Sequence, residues 1–173
     1  MKKQYTVAPV IKNEKMTVTF EDLTSEGMGV AKVEGYPLFV ADGLPGERAT
    51  IKVTKVGKSF GFARIEERLS SSPDRIPTRD VKGTRVGTMP LQNLRYSAQL
   101  AFKQNNVEQV MKRIAKMPEV EVKPTIGMEN PWGYRNKAQI PVRQKDGKLV
   151  TGFFRTNTHE LIPMENFQIQ DPK

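Results

Sequence analysis

Between residues 15 and 68 the chain has the pattern of about five short β-strands separated by turns. Met16, Val18 and Phe20 alternate with threonines, which is the period of two expected of a strand with one buried face. The glycines and prolines between the later segments are typical of tight turns. An open sheet of such short strands would leave unpaired edges. The pattern therefore predicts a small, closed or nearly closed barrel of the oligonucleotide-binding (OB) type.

After the barrel, three serines and a proline at residues 70–73 mark a boundary. A 3.6-residue apolar period then predicts a helix whose apolar stripe docks on a sheet, and Asp146-Gly147 predicts a hairpin turn. The predicted fold class is β-rich α+β, with a five-stranded OB-like barrel followed by a small domain of antiparallel strands and one long helix. The predicted divisions are a flexible arm (1–14), the barrel (15–70), an irregular basic connector (71–92) and the α+β domain (93–173), with a helix at about 95–116 and strands at about 136–143, 149–154 and 160–169.

The charge balance favours a polyanionic partner. The chain carries 28 Lys and Arg residues against 19 Asp and Glu, a net charge of +9, most of it after residue 70. There is no cysteine, which excludes disulfides and thiolate metal sites. No apolar run is long enough to span a membrane, and the amino terminus lacks a signal-peptide pattern. We therefore expect a cytoplasmic monomer without a membrane partner.

Enzymatic motifs are weak in this sequence. The segment GMGVAK lacks the third glycine of a dinucleotide fingerprint, and Gly57-Lys58-Ser59 lacks the upstream glycine of a phosphate-binding loop. His159, the single histidine, lies in a polar loop and has no carboxylate partner suggested by spacing. The residues by themselves therefore indicate a binding protein rather than a catalyst.

The segment NPWGYRNKAQIPVR, residues 130–143, combines two rings, cations and an amide before an apolar run. Trp132 and Tyr134 could anchor the loop on the core or stack on bases. Arg135 is the stronger candidate for RNA contact, because its planar guanidinium binds phosphate or a base edge and also stacks. Asn136 and Lys137 are the next candidates.

Two stretches of the first half resemble the TRAM domain, a small RNA-binding barrel: GMGVAKVEGYPLFVADGLPGE and ARIEERLSSSPDRIP. The similarity is to the TRAM domain at the front of the uracil-C5 ribosomal RNA methyltransferases. Later stretches resemble the central domain of the same family: LQNLRYSAQLAFKQNNVEQVMKRI, PTIGMENPWGYRNKAQIPV and GFFRTNTHELIPMENFQIQ. The resemblance covers nearly all of the chain after Lys15.

The resemblance implies 23S ribosomal RNA as the partner and S-adenosylmethionine as the cofactor of the full-length enzyme. Many members also hold an iron–sulfur cluster on four cysteines, which fall here on Val86, Met89 and positions near Asp80 and Phe167. None of these residues supplies a thiolate, so we expect no cluster. The family's catalytic domain follows the central domain and lies outside this sequence. We therefore expect this chain to bind no cofactor and not to methylate RNA alone.

Two alternatives remain open at this stage: a stand-alone RNA-binding module or RNA chaperone, and a protein-interaction adaptor that is basic by accident. The candidate RNA-binding residues are cationic, amide or aromatic side chains, and no catalytic or metal-binding residue is assigned. They are Lys52, Lys55, Lys58, Arg64, Arg75, Arg79, Arg85, Trp132, Tyr134, Arg135, Asn136, Lys137 and Arg155.

Overall fold

A computed structural model describes residues 7–156, 158–165 and 167–171, so the first part of the predicted amino-terminal arm, residues 1–6, lies outside the described residues. The chain forms two compact units. The first unit extends to Pro77 and also includes Asn93–Arg95. The second unit comprises Thr78–Gln92 and the residues from Tyr96 onwards.

The first unit is a curled six-stranded sheet. Its strands are β1 (Lys15–Thr19), β2 (Asp22–Leu23), β3 (Gly29–Val33), β4 (Tyr36–Val40), β5 (Arg48–Val56) and β6 (Gly61–Arg68), in the order β1-β5-β6-β4-β3-β2. Only Phe20 and Glu21 separate β1 from β2, although these strands lie at opposite ends of the sheet. One bent segment therefore joins the two ends, and the sheet curls around its core. This confirms the predicted OB-like, β-rich fold, with six strands in place of the predicted five because the short strand β2 follows the bend at Phe20.

Alternation along the strands builds the core of the first unit. Tyr36, Leu38 and Val40 of β4 are fully buried, whereas the residues between them are partly exposed. Phe20, at the bend, is also buried, and it packs directly on Gly43. A Cβ atom at position 43 would lie 2.7 Å from the ring of Phe20, so this close approach requires glycine. The bend thus depends on the contact of the buried Phe20 ring with the backbone of Gly43.

A buried carboxylate ties the end of this unit to the sheet. Glu47 is 0% exposed, and its oxygens accept hydrogen bonds from the backbone N–H groups of Leu44 (3.0 Å) and Ser72 (3.0 Å). The guanidinium of Arg75 donates to both oxygens of Glu47, and Arg68 donates through Nε at 3.3 Å. Because a buried charge is costly unless it is paired, these donors are what allow Glu47 to be buried while ionised.

Asp42 extends the same network to the returning segment. Its carboxylate accepts from Arg75 at 3.0 Å, from Arg68 at 2.8 Å and from the side-chain amide of Asn93 at 2.6 Å. We call Asp42, Glu47, Arg68, Arg75 and Asn93 the carboxylate clamp. It holds two chain segments, around residue 75 and residue 93, which also pair through a bridge between Arg75 and Leu94. Part of the predicted irregular connector is therefore a fixed part of the first unit.

The clamp should make the first unit sensitive to acid. Burial acts to raise the pKa of Glu47 and of Asp42, but the hydrogen bonds and charges of the arginines outweigh it, so both pKa values are lowered. The ionised carboxylates therefore contribute their full stabilisation at a pH above their unfolded-state pKa, which is about 4 for such groups. This stabilisation is lost as the pH falls through their lower, folded-state pKa. We expect the urea midpoint of this unit to be constant from neutral pH to about pH 5 and to fall below about pH 4. Equal midpoints on both sides of this window would contradict the clamp.

The second unit contains a short helix, the predicted long helix and a three-stranded antiparallel sheet. Its elements are α1 (Val81–Val86), α2 (Tyr96–Val110), a π-helical turn (Met111–Ala115), β7 (Val142–Lys145), β8 (Lys148–Phe154) and β9 (Leu161–Pro163). The strand expected at 136–143 begins later, at Val142, because Pro141 has no N–H to donate to a ladder. The strand expected at 160–169 is limited to Leu161–Pro163. The predicted connector also contains the helix α1, which its sequence did not suggest.

Helix α2 differs from its prediction in how it packs. Its first half lies against an extended segment rather than a sheet: the backbone N–H of Met128 donates to the Tyr96 hydroxyl at 2.9 Å, and a Cβ atom on Gly127 would lie 2.8 Å from Leu100. The second half of the apolar stripe is open, since Ile114 is 75% exposed. Within the described ranges, no helix is both long and apolar enough to cross a lipid bilayer.

Candidate nucleic-acid interface

Three phenylalanines form an aromatic patch on the outer face of the first unit's sheet. Phe39 of β4 lies opposite Phe62 of β6 in the parallel register, and their ring centroids are 5.9 Å apart. Phe60 lies 5.5 Å from Phe39 and 5.7 Å from Phe62. The patch is accessible, because Phe60 is 43% exposed and the other two rings are partly exposed.

The strand pleat and one tight turn position these rings. Phe39 and Phe62 face outward because their neighbours along the strands, Leu38 and Gly61 among them, face the core. The backbone N–H of Gly57 donates to the Phe60 carbonyl at 2.9 Å and closes the turn before β6. The buried Tyr36 hydroxyl donates to the Gly57 carbonyl at 2.9 Å. The core therefore fixes the turn that presents Phe60.

Cations border the aromatic patch. Lys55 of β5 lies opposite Phe62 in register, and Lys58 lies within the turn that Gly57 and Phe60 close. Both lysines are exposed, and in the part of the chain that the structure describes neither forms an ion pair. Lys52 and Arg64 lie opposite each other further along the same ladder, and Arg64 forms an ion pair with Glu66 at 2.8 Å. Of these four candidates, Lys55 and Lys58 are therefore the ones best placed beside the rings.

This arrangement has the chemistry of a single-stranded nucleic-acid surface. Exposed rings stack on bases of any sequence, and adjacent cations hold the phosphates. The phenylalanines were missed in the sequence, although a signal was present. In the segment SFGFAR, Phe60 and Phe62 occupy alternate positions, which in an extended segment place both rings on one face. That the small residues Gly61 and Ala63 occupy the core face, leaving the rings outside, becomes clear only from the packing.

The candidate loop of the second unit is anchored through Trp132. The guanidinium carbon of Arg79 lies 4.5 Å from the centroid of the Trp132 ring, in a cation–π contact. Trp132 is partly buried, whereas Tyr134 is 53% exposed. The geometry therefore gives Trp132 and Arg79 a contact within the protein, and leaves Tyr134 available on the surface.

Backbone pairing then fixes Arg135. Its N–H donates to the Ile169 carbonyl at 2.9 Å, and its carbonyl accepts from the N–H of Asp171 at 2.8 Å. Beyond this point Arg135, Asn136 and Lys137 line an open cavity of about 610 Å³. Gln168 and Gln170 supply amides to the wall, Phe167 supplies a ring, and Glu165 and Asp171 supply carboxylates. The three candidates thus meet in one groove that mixes cations, amides and an apolar surface.

The remaining candidate cations have other surroundings. The side chain of Arg75 is 15% exposed and bound by Glu47 and Asp42, so its role is structural. Arg155 pairs with Glu160 at 3.1 Å. Arg85 is exposed in the last turn of α1. The structure therefore brings candidates together beside the aromatic patch and around Arg135, and it places Arg75 in the carboxylate clamp.

Three of the four positions that correspond to cluster cysteines in the resembled family also meet in space. Asp80, Met89 and Phe167 line one small cavity of about 10 Å³, with Thr88 beside them. Met89 is buried, and the Asp80 backbone exchanges two hydrogen bonds of 2.8 Å with the side chain of Gln92. A carboxylate, a thioether and a ring are not the thiolates that such clusters require. The residues present therefore do not fit an iron–sulfur cluster, and this space is largely filled by side chains.

Comparison with known proteins agrees with this geometry. The TRAM domain model matches residues 9–65. A protein of Enterococcus faecalis named as an uncharacterized RNA methyltransferase is 59% identical over 165 residues, which are 95% of this chain and 36% of that protein. A protein of Lactiplantibacillus plantarum with the same name is 50% identical over 164 residues, which are 95% of this chain and 36% of that protein. The chain thus spans about a third of the length of the curated relatives it matches.

Among solved structures, the Pyrococcus abyssi tRNA (uracil-54, C5)-methyltransferase in complex with S-adenosyl-L-homocysteine has a similar fold. The TM-score is 0.60 at 23% sequence identity, and the match covers 90% of this chain and 33% of that one. At this identity the likeness concerns the fold alone. Residues 9–65 therefore match the TRAM domain model, within a chain that is similar over nearly all of its length to bacterial proteins named RNA methyltransferases.

Proposed function

We propose that this chain is the RNA-binding part of an S-adenosylmethionine-dependent RNA uracil-C5-methyltransferase of the cytoplasm, and that its substrate is 23S ribosomal RNA. The names of the relatives support RNA methylation, and the solved structure of similar fold acts on a uracil of tRNA. The choice of ribosomal RNA rests on the family resemblance of the sequence. In this proposal the chain works as a monomer toward its RNA.

The observation that carries the proposal is the aromatic patch with the exposed lysines beside it. Phe39, Phe60 and Phe62 give unstacked bases a π-surface, and Lys55 and Lys58 lie where the backbone phosphates of such bases would run. RNA loops, in which bases are already partly unstacked, are the targets that such surfaces recognise. A TRAM domain at these residues is in keeping with this role.

The groove around Arg135 provides the second contact in this proposal. An enzyme that modifies a base must remove that base from its stack, and the RNA on both sides has to be held meanwhile. Arg135 and Lys137 would hold phosphate, and the amides of Asn136 and Gln168 would bond to base edges. Tyr134 would add a stacking surface beside them, since its ring is exposed.

Methyl transfer would be carried out, in this proposal, by residues other than those described here. S-adenosylmethionine would supply the methyl group. The residues described here would bind and orient RNA, without taking part in bond formation. We therefore expect purified chain to bind RNA and to transfer no methyl group, which separates binding from catalysis experimentally.

Replacing Arg135 with alanine should weaken binding to a hairpin from the large ribosomal RNA by about 1–3 kcal/mol, because one charged, planar contact is lost. Fluorescence anisotropy with a labelled hairpin measures this directly. Arg113→Ala is the matched control, since Arg113 is exposed at the end of the helical segment and outside the groove. A tRNA of equal charge density tests the substrate class. Equal affinities of Arg135→Ala and Arg113→Ala would remove the groove from the interface.

A further inference from the structure

The hairpin formed by β7 and β8 presents a rigid, cationic tip. Its two-residue turn, Asp146-Gly147, has positive φ at both positions, 51° and 76°. This is the type I′ geometry that matches the right-handed twist of paired strands. The ladder continues without a bulge from the pair Lys145 and Lys148 to the pair Val142 and Thr151. The side chains at the tip are therefore held in a defined register.

That register places two like charges directly opposite each other. Lys145 faces Lys148 across the turn, and directly opposed like charges destabilise a strand pair. Both lysines are exposed, and no ion pair to a carboxylate is found for either among the residues that are described, the adjacent Asp146 included. The free protein thus keeps a repulsion at this tip that a bound anion would relieve.

A third cation lies on the same face. Side chains alternate along a strand, so Arg143 shares the face of Lys145, while Lys148 and Phe154 occupy that face on β8. The guanidinium carbon of Arg143 lies 5.5 Å from the centroid of the Phe154 ring. The face therefore carries three cations in a row, one of them stacked on a ring.

We infer that this face of the hairpin, defined by Arg143, Lys145, Lys148 and Phe154, binds the phosphate backbone of RNA. The inference rests on the proposed RNA-binding function and adds a third contact, distinct from the aromatic patch and the Arg135 groove. RNA is favoured over an anionic membrane because the exposed apolar side chain of the tip, Leu149, points to the opposite face, as its pairing with Gln144 requires. The cationic face itself presents charge and a stacked guanidinium, which suit phosphates in a row.

Lys148→Glu tests the inference, because it should move stability and affinity in opposite directions. Facing Lys145, the new carboxylate replaces repulsion by attraction, so the second unit should unfold at equal or higher urea concentration, as followed by the fluorescence of Trp132. RNA affinity should nevertheless fall about three- to ten-fold, and the slope of log affinity against log salt should decrease by about one or more. A merely structural role for Lys148 would not separate these two readouts.

Lys103→Glu is the control, since it makes the same charge change at an exposed position of α2. The double variant Lys145→Glu/Lys148→Glu should lose the gain in stability and bind RNA more weakly still. If wild type binds RNA and Lys148→Glu binds it as Lys103→Glu does, the hairpin inference is overturned while the proposed function stands. If wild type binds no RNA, the proposed function fails, and binding of phosphatidylserine vesicles that is lost in Lys148→Glu would reassign the face to lipid.

Discussion

Replacing Glu47 with alanine is expected to lower the free energy of unfolding of the first unit by about 3–5 kcal/mol. The reason is the number of buried donors that lose their acceptor at once. Arg75 would keep Asp42 as its one carboxylate partner, and the N–H groups of Leu44 and Ser72 would have no acceptor in their place. Removing one partner of a buried ion pair destabilises a protein far more than replacing both partners by apolar side chains, because the remaining charge is left buried without a partner.

Urea unfolding followed by circular dichroism in the β-sheet region measures this effect. Glu21→Ala is the matched control, because Glu21 forms a single exposed ion pair with Lys32 and should cost no more than about 1 kcal/mol. The loss of unfolding free energy in Glu47→Gln should lie between those of Glu21→Ala and Glu47→Ala. The amide keeps one acceptor oxygen, but its NH₂ group faces the donors of Arg75. The fluorescence of Trp132 reports on the second unit separately. If Glu47→Ala and Glu21→Ala had equal urea midpoints, the carboxylate clamp would not stabilise the first unit as its geometry indicates.

Phe60→Ala combined with Phe62→Ala is expected to reduce affinity for single-stranded RNA by about 1–3 kcal/mol for each base that stacks on the patch, or from about five-fold to more than a hundred-fold. The rings offer an exposed π-surface that an alanine methyl cannot replace. Phe60→Tyr should retain binding, because its ring still stacks, whereas Phe60→Leu should lose it despite a similar volume.

Leu69→Ala provides the comparison for this experiment, since Leu69 is an exposed apolar side chain of the same unit and lies outside the patch. Circular dichroism melting curves of each variant establish that the sheet is intact. Suppose that Phe60→Leu and Phe60→Tyr both bind RNA with the wild-type affinity. The side chain at this position would then contribute only hydrophobic volume, or nothing, to binding. That result would remove stacking from the proposed mode of binding.

The strand pattern of the first unit was predictable because each strand has one buried face. Tyr36, Leu38 and Val40 alternate with less buried residues in a way that a sequence displays directly. The bend at Phe20 was not predictable, because it depends on the ring resting on Gly43, more than twenty positions along the chain. Local periodicity therefore identified the main strands, and long-range packing produced the bend after which the short strand β2 begins.

The clamp shows a different limit of sequence reasoning. Arg75 lies in a segment rich in cations, so it was assigned to the RNA surface with its neighbours. Its partners, Glu47 and Asp42, are 28 and 33 positions away, and no spacing rule relates them. An isolated arginine in a basic segment gives no sign of whether it faces solvent or a buried carboxylate. Arg135 differs, because its groove is formed by residues adjacent to it and by the segment with which its backbone pairs.

The aromatic patch lay within reach of the sequence and was overlooked for a physical reason. Aromatic residues in strands are usually part of the core. In β6 the core positions are instead taken by Gly61 and Ala63, two small residues that allow the strand to approach the buried Leu38 and Tyr36 closely. The rings of Phe60 and Phe62 are thereby left on the outer face. A strand whose small residues and rings alternate should therefore prompt a search for an exposed aromatic surface.

If this chain binds RNA through exposed rings and the cations beside them, one titration should show it. Anisotropy of a labelled single-stranded RNA of about a dozen nucleotides should be recorded with wild type and with Phe60→Ala/Phe62→Ala at about 50 and about 200 mM salt. We expect wild-type binding that weakens steeply with salt, and weaker binding by the double variant at both salt concentrations. Absence of wild-type binding at the lower salt concentration, or equal binding by the two proteins, would contradict it.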